Sequence, residues 1–471
     1  MANNRRSNFA LATISFVISL AAQRGLPFFA LPIVARATSQ FEYGAATLAI
    51  SIASVLSVIM TLGINAAMPR LYAQEGSTAK SASWVALALV QVAFAVVLVV
   101  AVGGAATVIG PAFLGADTQN FVLPALILAF ASSIQMTYQG ISIARGASSR
   151  LLIATLLQLA VGLTLAQILS TAFGGAGYIY ALAFSSILAT SLLAAFAHPK
   201  PDWRKMAVRA GLKLSMPFIG QGLSTWLLAL FDRIVIGVLL GATQVGGYQV
   251  AYMAGSVLGM VLEGFQAAWG PRYHKSRYTH KKLLLARLLN PSIWLAAVMI
   301  LLLCSAAPLL LPLIAPSYDV SYALVTLVAL SSLPRGIYFV CIAALLNEGR
   351  STSVMTSTLI SAVFTVVAAL MLIPQVGAIG GGVVTLAAFI IQSLIVLHRA
   401  FKWPLRRTVA LVVGPVLGLG VLLVLGGQIA QLHPAMNLVL PILLVIPTAV
   451  VGWKSFKSFG SVLAGWQKDD G

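Results

Sequence analysis

Long apolar runs separated by short polar breaks fill the chain from one end to the other. Runs of roughly 20 residues, enough to cross about 30 Å of hydrocarbon as helix, cover 9–36, 44–68, 83–108, 121–144, 151–172 and 175–197. A second set covers 214–240, 246–268, 288–314, 322–346, 352–373 and 378–397, and a last pair covers 408–427 and 436–453. The pattern predicts an all-α polytopic membrane protein with fourteen transmembrane helices. The first run follows Arg5-Arg6 like the start of a signal peptide, but its apolar character continues to Val34, so it is expected to stay as helix one.

The pattern also repeats. Shifted by 202 positions, Gly246, Ala251, Ser256-Val257-Leu258, Ala268 and Pro271-Arg272 fall on Gly44, Ala49, Ser54-Val55-Leu56, Ala66 and Pro69-Arg70. Shifted by 200, Ser332, Tyr338, Ala344 and Arg350 fall on Ser132, Tyr138, Ala144 and Arg150. Six helices per copy is an even number, so the copies run in the same direction, related by a pseudo-two-fold along the membrane normal. The expected organisation is an N-terminal lobe over 1–197, a basic interfacial linker over 198–213, a C-terminal lobe over 214–399, and helices thirteen and fourteen with a tail over 400–471. The linker mixes Trp203, Met206 and Leu212 with five basic residues, which suits either a segment lying on anionic headgroups or a plain cytoplasmic loop.

Composition agrees with the pattern: 60% of the residues are hydrophobic and 8% charged, more apolar surface than a soluble globule of 471 residues can bury. A net charge of +19 raises nucleic acid as a partner, but the positions of the charges argue against it. With the N-terminus inside, the 29 lysines and arginines fall in alternate, inner segments, except Arg24, Arg36, Arg233 and Arg335. That is the positive-inside bias of a polytopic chain, and it puts both termini in the cytoplasm. The two cysteines, Cys304 and Cys341, lie within apolar runs, and the five histidines lack ligand spacing, so neither a metal nor a disulfide framework is expected. No phosphate-loop pattern occurs and no nucleophile triad can be assembled. The chain reads as a transporter without a cofactor rather than an enzyme.

The exceptions to the charge pattern are the candidate functional residues. An ionised side chain at mid-membrane costs about 2.5–3.5 kcal/mol, so each should face the bundle interior or a wet cavity. Arg24 follows Gln23 and precedes Pro27 in helix one; Arg335 follows Pro334 in helix ten and corresponds to Gln135 at the 200 shift. A guanidinium offers a permanent charge and a fork of donors that matches phosphate oxygens, so Arg24 and Arg335 are read as anchors for an anionic substrate, against the alternative of structural ion pairs. Asp232 and Arg233 are adjacent, about 100° apart around a helix, so each is expected to find its main partner elsewhere, holding helices together or coupling transport. Glu263, read as an isolated buried carboxylate, would have a raised pKa and carry a proton. Arg36 suits an interfacial anchor or a ligand, and Trp226, which falls on Arg24 at the 202 shift, is the aromatic placed to stack on a sugar ring.

Ala35-Arg36 followed by Glu42-Tyr43-Gly44, Asp232-Arg233 in helix seven and Val245-Gly246-Gly247-Tyr248 opening helix eight, in this order and spacing, resemble the bacterial polysaccharide flippases. These are the O-antigen and exopolysaccharide translocases of the multidrug, oligosaccharidyl-lipid and polysaccharide exporter superfamily. The resemblance implies a bacterial inner-membrane protein that moves an undecaprenyl-diphosphate-linked glycan between leaflets by alternating access of its lobes. It further implies membrane lipids and a polysaccharide polymerase as partners. Sibling lipid II flippases carry arginine on helix two, which this chain lacks between Gly44 and Pro69. A cation-coupled drug exporter of the same superfamily calls for acidic cavity residues, and a membrane glycosyltransferase calls for catalytic carboxylates or large outer loops.

Overall fold

Helices account for nearly all of the residues described by the structure, a computed structural model covering residues 2–75, 81–114, 116–195, 200–201, 205–275 and 281–432. Contacts divide the chain into two compact units, 1–247 with 314–318, and 248–313 with 319 onwards.

In the first unit, α1 (Ala2–Ala37) gives way to α2 (Gln40–Met60) through a turn that the sequence encodes. The Ser39 side chain accepts from the Glu42 amide at 3.2 Å while the Glu42 carboxylate accepts from the Ser39 amide at 3.0 Å, a capping box that satisfies the open end of α2. The run expected as one span over 44–68 is two helices. α2 stops because Leu62 and Gly63 turn to φ of 51° and 69°, a region open to glycine and costly for leucine. Gly63 also lies against the Ser215 carbonyl, where a side chain has no room. The chain resumes in α3 (Ile64–Glu75), then α4 (Ser83–Leu114), a short 3-10 helix (Ala116–Phe121), and α5 (Val122–Ala144).

The next helix, α6 (Ser148–Ala195), has 48 residues, about 72 Å at 1.5 Å per residue and too long for one crossing. It breaks at Gly174, with φ of 58°, between the two expected runs. Its arms fold back on each other, since Gln158 of one donates to Ser186 of the other at 3.2 Å. α7 (Lys205–Leu240) packs on α2, α3 and α4 and therefore lies in the first unit. A two-residue parallel pairing of β1 (Ser81–Ala82) with β2 (Lys200–Pro201) is the unit's one strand pairing among the described residues.

α8 (Ala242–Lys275) begins in the first unit and continues into the second. The two glycines that the internal repeat pairs meet at its start: a methyl on Gly44 would overlap the Ala242 carbonyl, and a methyl on Gly246 the Gln40 carbonyl. Gln40 and Ala242 are themselves 202 apart, so the contact is reciprocal in the register of the repeat. α9 (Lys281–Ile314), α10 (Tyr322–Leu330), α11 (Ser332–Asn347), α12 (Ser351–Val376), α13 (Ile379–Phe401) and α14 (Leu405–Leu432) complete the described chain. α13 is central to the second unit, packed on α10, α11, α12 and α14. α10 and α11 form one apolar run interrupted near Pro334, which has no N–H for the carbonyl one turn back. The Ser393 hydroxyl donates to the Pro334 carbonyl from α13.

Among the described residues eleven helices are long and apolar enough to cross a membrane, and the chain is a multi-pass membrane protein. Valines such as Val97 and Val100, more than two-thirds exposed on α4, suit contact with lipid. The span expected at 436–453 lies outside the described residues. Serines and threonines within the spans bond carbonyls a turn back, as Ser51 does to Thr47 at 2.9 Å and Thr365 to Ser361 at 2.9 Å, so few hydroxyls face hydrocarbon unsatisfied.

Candidate functional site

A cavity of about 610 Å³ opens within the first unit, among α1, α2, α3, α5, α6 and α7. Its polar wall follows from helical spacing. Ser54, Ser57 and Thr61 share a face of α2 and its end, Ser132, Gln135 and Gln139 a face of α5, and Gln221 and Thr225 a face of α7. The break after Thr61 turns Asn65 of α3 to the same space, and Gln23 and Pro27 come from α1. Gln135 and Gln158 form a reciprocal amide pair, Gln135 Nε2 donating to Gln158 Oε1 at 2.5 Å and Gln158 Nε2 donating back at 3.3 Å as well as to Ser186 Oγ. Trp226 lines the cavity with its Nε1–H donated to the Ser51 carbonyl at 3.1 Å, which fixes the indole to α2. No lining residue is ionisable. The cavity is therefore uncharged, its amides and hydroxyls set in a largely apolar wall.

The charged candidates lie elsewhere, mostly in pairs. Asp232 and Arg233, expected to seek partners on other helices, bind each other at 2.8 Å with both side chains buried. Arg233 folds back along α7 to donate from Nη1 to the Ala229 carbonyl at 2.6 Å, and Ala229 lines the cavity one turn away. The backbone amide of Arg233 also donates to Asp232 Oδ1 at 2.8 Å, so the carboxylate is held twice by its neighbour.

In the second unit Arg335 donates to the Glu263 carboxylate. Glu263 was expected to be isolated; helix register corrects that reading. Gly255, Gly259 and Glu263 recur every fourth residue on α8, and the two glycines leave room for α10 and α11: a Cβ at Gly259 would stand 2.8 Å from Arg335 Nη1. Arg335, just past the break at Pro334, thus lays its guanidinium over Gly259 and reaches Glu263. Phe339 and Phe389 rings stand 5.6 and 5.2 Å from the guanidinium carbon, so cation–π contact adds to the pair. Arg24 and Arg36 remain exposed on α1, Arg24 beside the cavity-lining Gln23 and Arg36 in the helix's last turn.

Residues 11–277, more than half of the chain, match the profile of a family described as polysaccharide biosynthesis protein. The chain belongs to the polysaccharide biosynthesis protein family. Comparison with curated proteins returns no match. Among solved structures, an inward-facing multidrug-resistance MATE transporter of the MOP superfamily superposes with a TM-score of 0.66 at 16% identity, covering 85% of this chain and 98% of that one. The lipid II flippase MurJ in an inward closed conformation gives 0.66 at 15% identity, covering 95% and 99%. A eukaryotic MATE transporter gives 0.57 at 14% identity, covering 88% and 98%. At these identities the likeness establishes the fold, that of the MOP-superfamily transporters, and the structures sharing it are transporters and a flippase.

Within this family member the structure gathers three of the expected residues, Gln23, Gln135 and Trp226, around one cavity. It sets the arginines and acids outside that lining. Asn65, Gln139, Gln158, Ser186 and Gln221, none of them charged and none among the expected residues, also line the wall. Their signal was in the sequence: an amide inside an apolar run is itself unusual at membrane depth and asks for a partner or a wet space.

Proposed function

We propose that the chain is a flippase that moves an undecaprenyl-diphosphate-linked oligosaccharide from the inner to the outer leaflet of the bacterial plasma membrane by alternating access. The uncharged, amide-lined cavity among membrane-spanning helices carries this reading, together with the family. A glycan is rich in hydroxyls and needs hydrogen-bonding groups at hydrocarbon depth, whereas an exported cationic drug needs a carboxylate, and the cavity wall has none. Arg24, one residue from the cavity wall, is the proposed anchor of the diphosphate, with Arg36 nearer the end of α1. Arg335 is held by Glu263 and reaches an anion only when that carboxylate releases it. We therefore place Glu263 and Asp232 in coupling to the proton gradient or membrane potential, with Arg335 and Arg233 as the charges they hold. Fourteen spans with both termini in the cytoplasm, and a polymerase that consumes the delivered glycan, complete the proposal.

Deleting the gene should abolish surface polysaccharide while the lipid-linked glycan accumulates on the cytoplasmic face. Unchanged polymer together with new sensitivity to cationic drugs would assign the chain to drug export. Loss of peptidoglycan synthesis would assign it to lipid II.

A further inference from the structure

Polar side chains at hydrocarbon depth that find no partner within the protein must be satisfied by water or by a guest. In the cavity of the first unit the amides of Gln23, Asn65, Gln139 and Gln221 take no hydrogen-bond partner among the described residues. Gln135, Gln158 and Ser186 beside them are closed on one another. The wall thus has a preset part and an open part. Each open amide presents a carbonyl acceptor and an NH2 donor on one plane, and a sugar hydroxyl, itself donor and acceptor, meets both.

An ionised guest would fare differently. A carboxylate would find the donor half of each amide but no cation in the wall, and its unused charge would be desolvated against apolar neighbours such as Leu26, Leu128 and Phe218. An ammonium would find no carboxylate. The indole of Trp226, tethered by its nitrogen to Ser51, adds a flat apolar platform of the kind that the C–H face of a pyranose covers. The volume, about 610 Å³, lies within the roughly 300–1,000 Å³ of small-molecule sites, so it takes a short saccharide segment rather than a long chain.

We infer that this cavity receives uncharged sugars, and that the protein selects lipid-linked glycans whose sugars nearest the diphosphate are neutral hexoses or N-acetylhexosamines over those bearing a uronic acid there. The inference rests on the flippase reading and narrows its substrate class.

The test uses the full chain in lipid nanodiscs and four probes: polyprenyl diphosphate alone, the same lipid carrying a neutral disaccharide, the same lipid carrying a glucuronic-acid disaccharide, and the cationic dye ethidium. The neutral glycolipid should bind at least about tenfold more tightly than the acidic one. Gln221→Ala and Trp226→Ala should each erase most of that advantage without weakening the bare diphosphate. Equal binding of the two glycolipids, tighter binding of the acidic one, or an advantage untouched in both variants overturns the inference and leaves the flippase reading standing. Binding of ethidium with none of the lipid diphosphates overturns both.

Discussion

Arg335 and Glu263 show how a single register decision sets a residue's chemistry. Removing the carboxylate by Glu263→Gln leaves a guanidinium in a largely buried site without its counter-charge, a change that costs about 3–5 kcal/mol. The variant should melt at lower temperature and accumulate less than the parent. The double variant Glu263→Gln, Arg335→Met should recover most of that stability, because the charge that needed neutralising is gone, yet lose dependence of transport on the ion gradient. A single variant as stable as the parent would show that the pair does not hold α8 to α11. At Arg24 the expectation is the reverse: Arg24→Ala should remove surface polymer with protein level unchanged, and normal polymer would discard the diphosphate anchor. Which residues were unusual was legible at this scale, since every charge outside a loop stood out. Their partners were not. Adjacent Asp232 and Arg233 point about 100° apart along an ideal helix, and only the long, flexible arginine stem folding back on α7 brings them to 2.8 Å.

The helices themselves were legible because each long apolar run must satisfy its own backbone in hydrocarbon. Their interruptions were less so. Pro334 announces the break between α10 and α11, but Leu62, a non-glycine residue at φ of 51°, carries no turn signature and hid the end of α2. Close packing at the start of α8 gives a sharp expectation. Gly44→Val and Gly246→Val each drive a branched side chain into a carbonyl of the facing helix, and both should abolish folded protein in the membrane. Normal levels of either would mean the helices separate readily at that point. A gentler probe lies in the segment 314–318, where the Tyr318 hydroxyl is 3.2 Å from the Thr38 carbonyl and 3.3 Å from that of Ser39. Burial, with the Glu42 carboxylate adding and the Thr38 hydrogen bond opposing, lifts the Tyr318 pKa above the ordinary tyrosine value. The folded protein then holds this proton more tightly than the unfolded chain, so the contribution is intact at neutral pH and falls only as pH rises beyond about 10. Tyr318→Phe should cost about 1 kcal/mol at pH 7 and flatten that alkaline loss in a thermal-melting series. An unchanged series would show that Tyr318 does not fasten α1.

For the whole molecule, composition and charge alternation already required a polytopic helical membrane protein, and the family places it in polysaccharide biosynthesis. The cavity was not legible, because its wall is assembled from faces of helices far apart in sequence and is made of amides and hydroxyls that no short motif announces. An uncharged cavity among membrane helices, with amides and hydroxyls set in its apolar wall, is the feature that turns a transporter fold into a proposed carrier of glycans. The most direct measurement places the purified chain in proteoliposomes loaded on one leaflet with a polyprenyl diphosphate bearing a neutral disaccharide, and follows its arrival on the opposite leaflet with a membrane-impermeant glycosidase. The account predicts protein-dependent arrival that falls to the protein-free rate with Arg24→Ala and slows with Gln221→Ala. Arrival no faster than in protein-free vesicles, with ethidium carried instead, would contradict it.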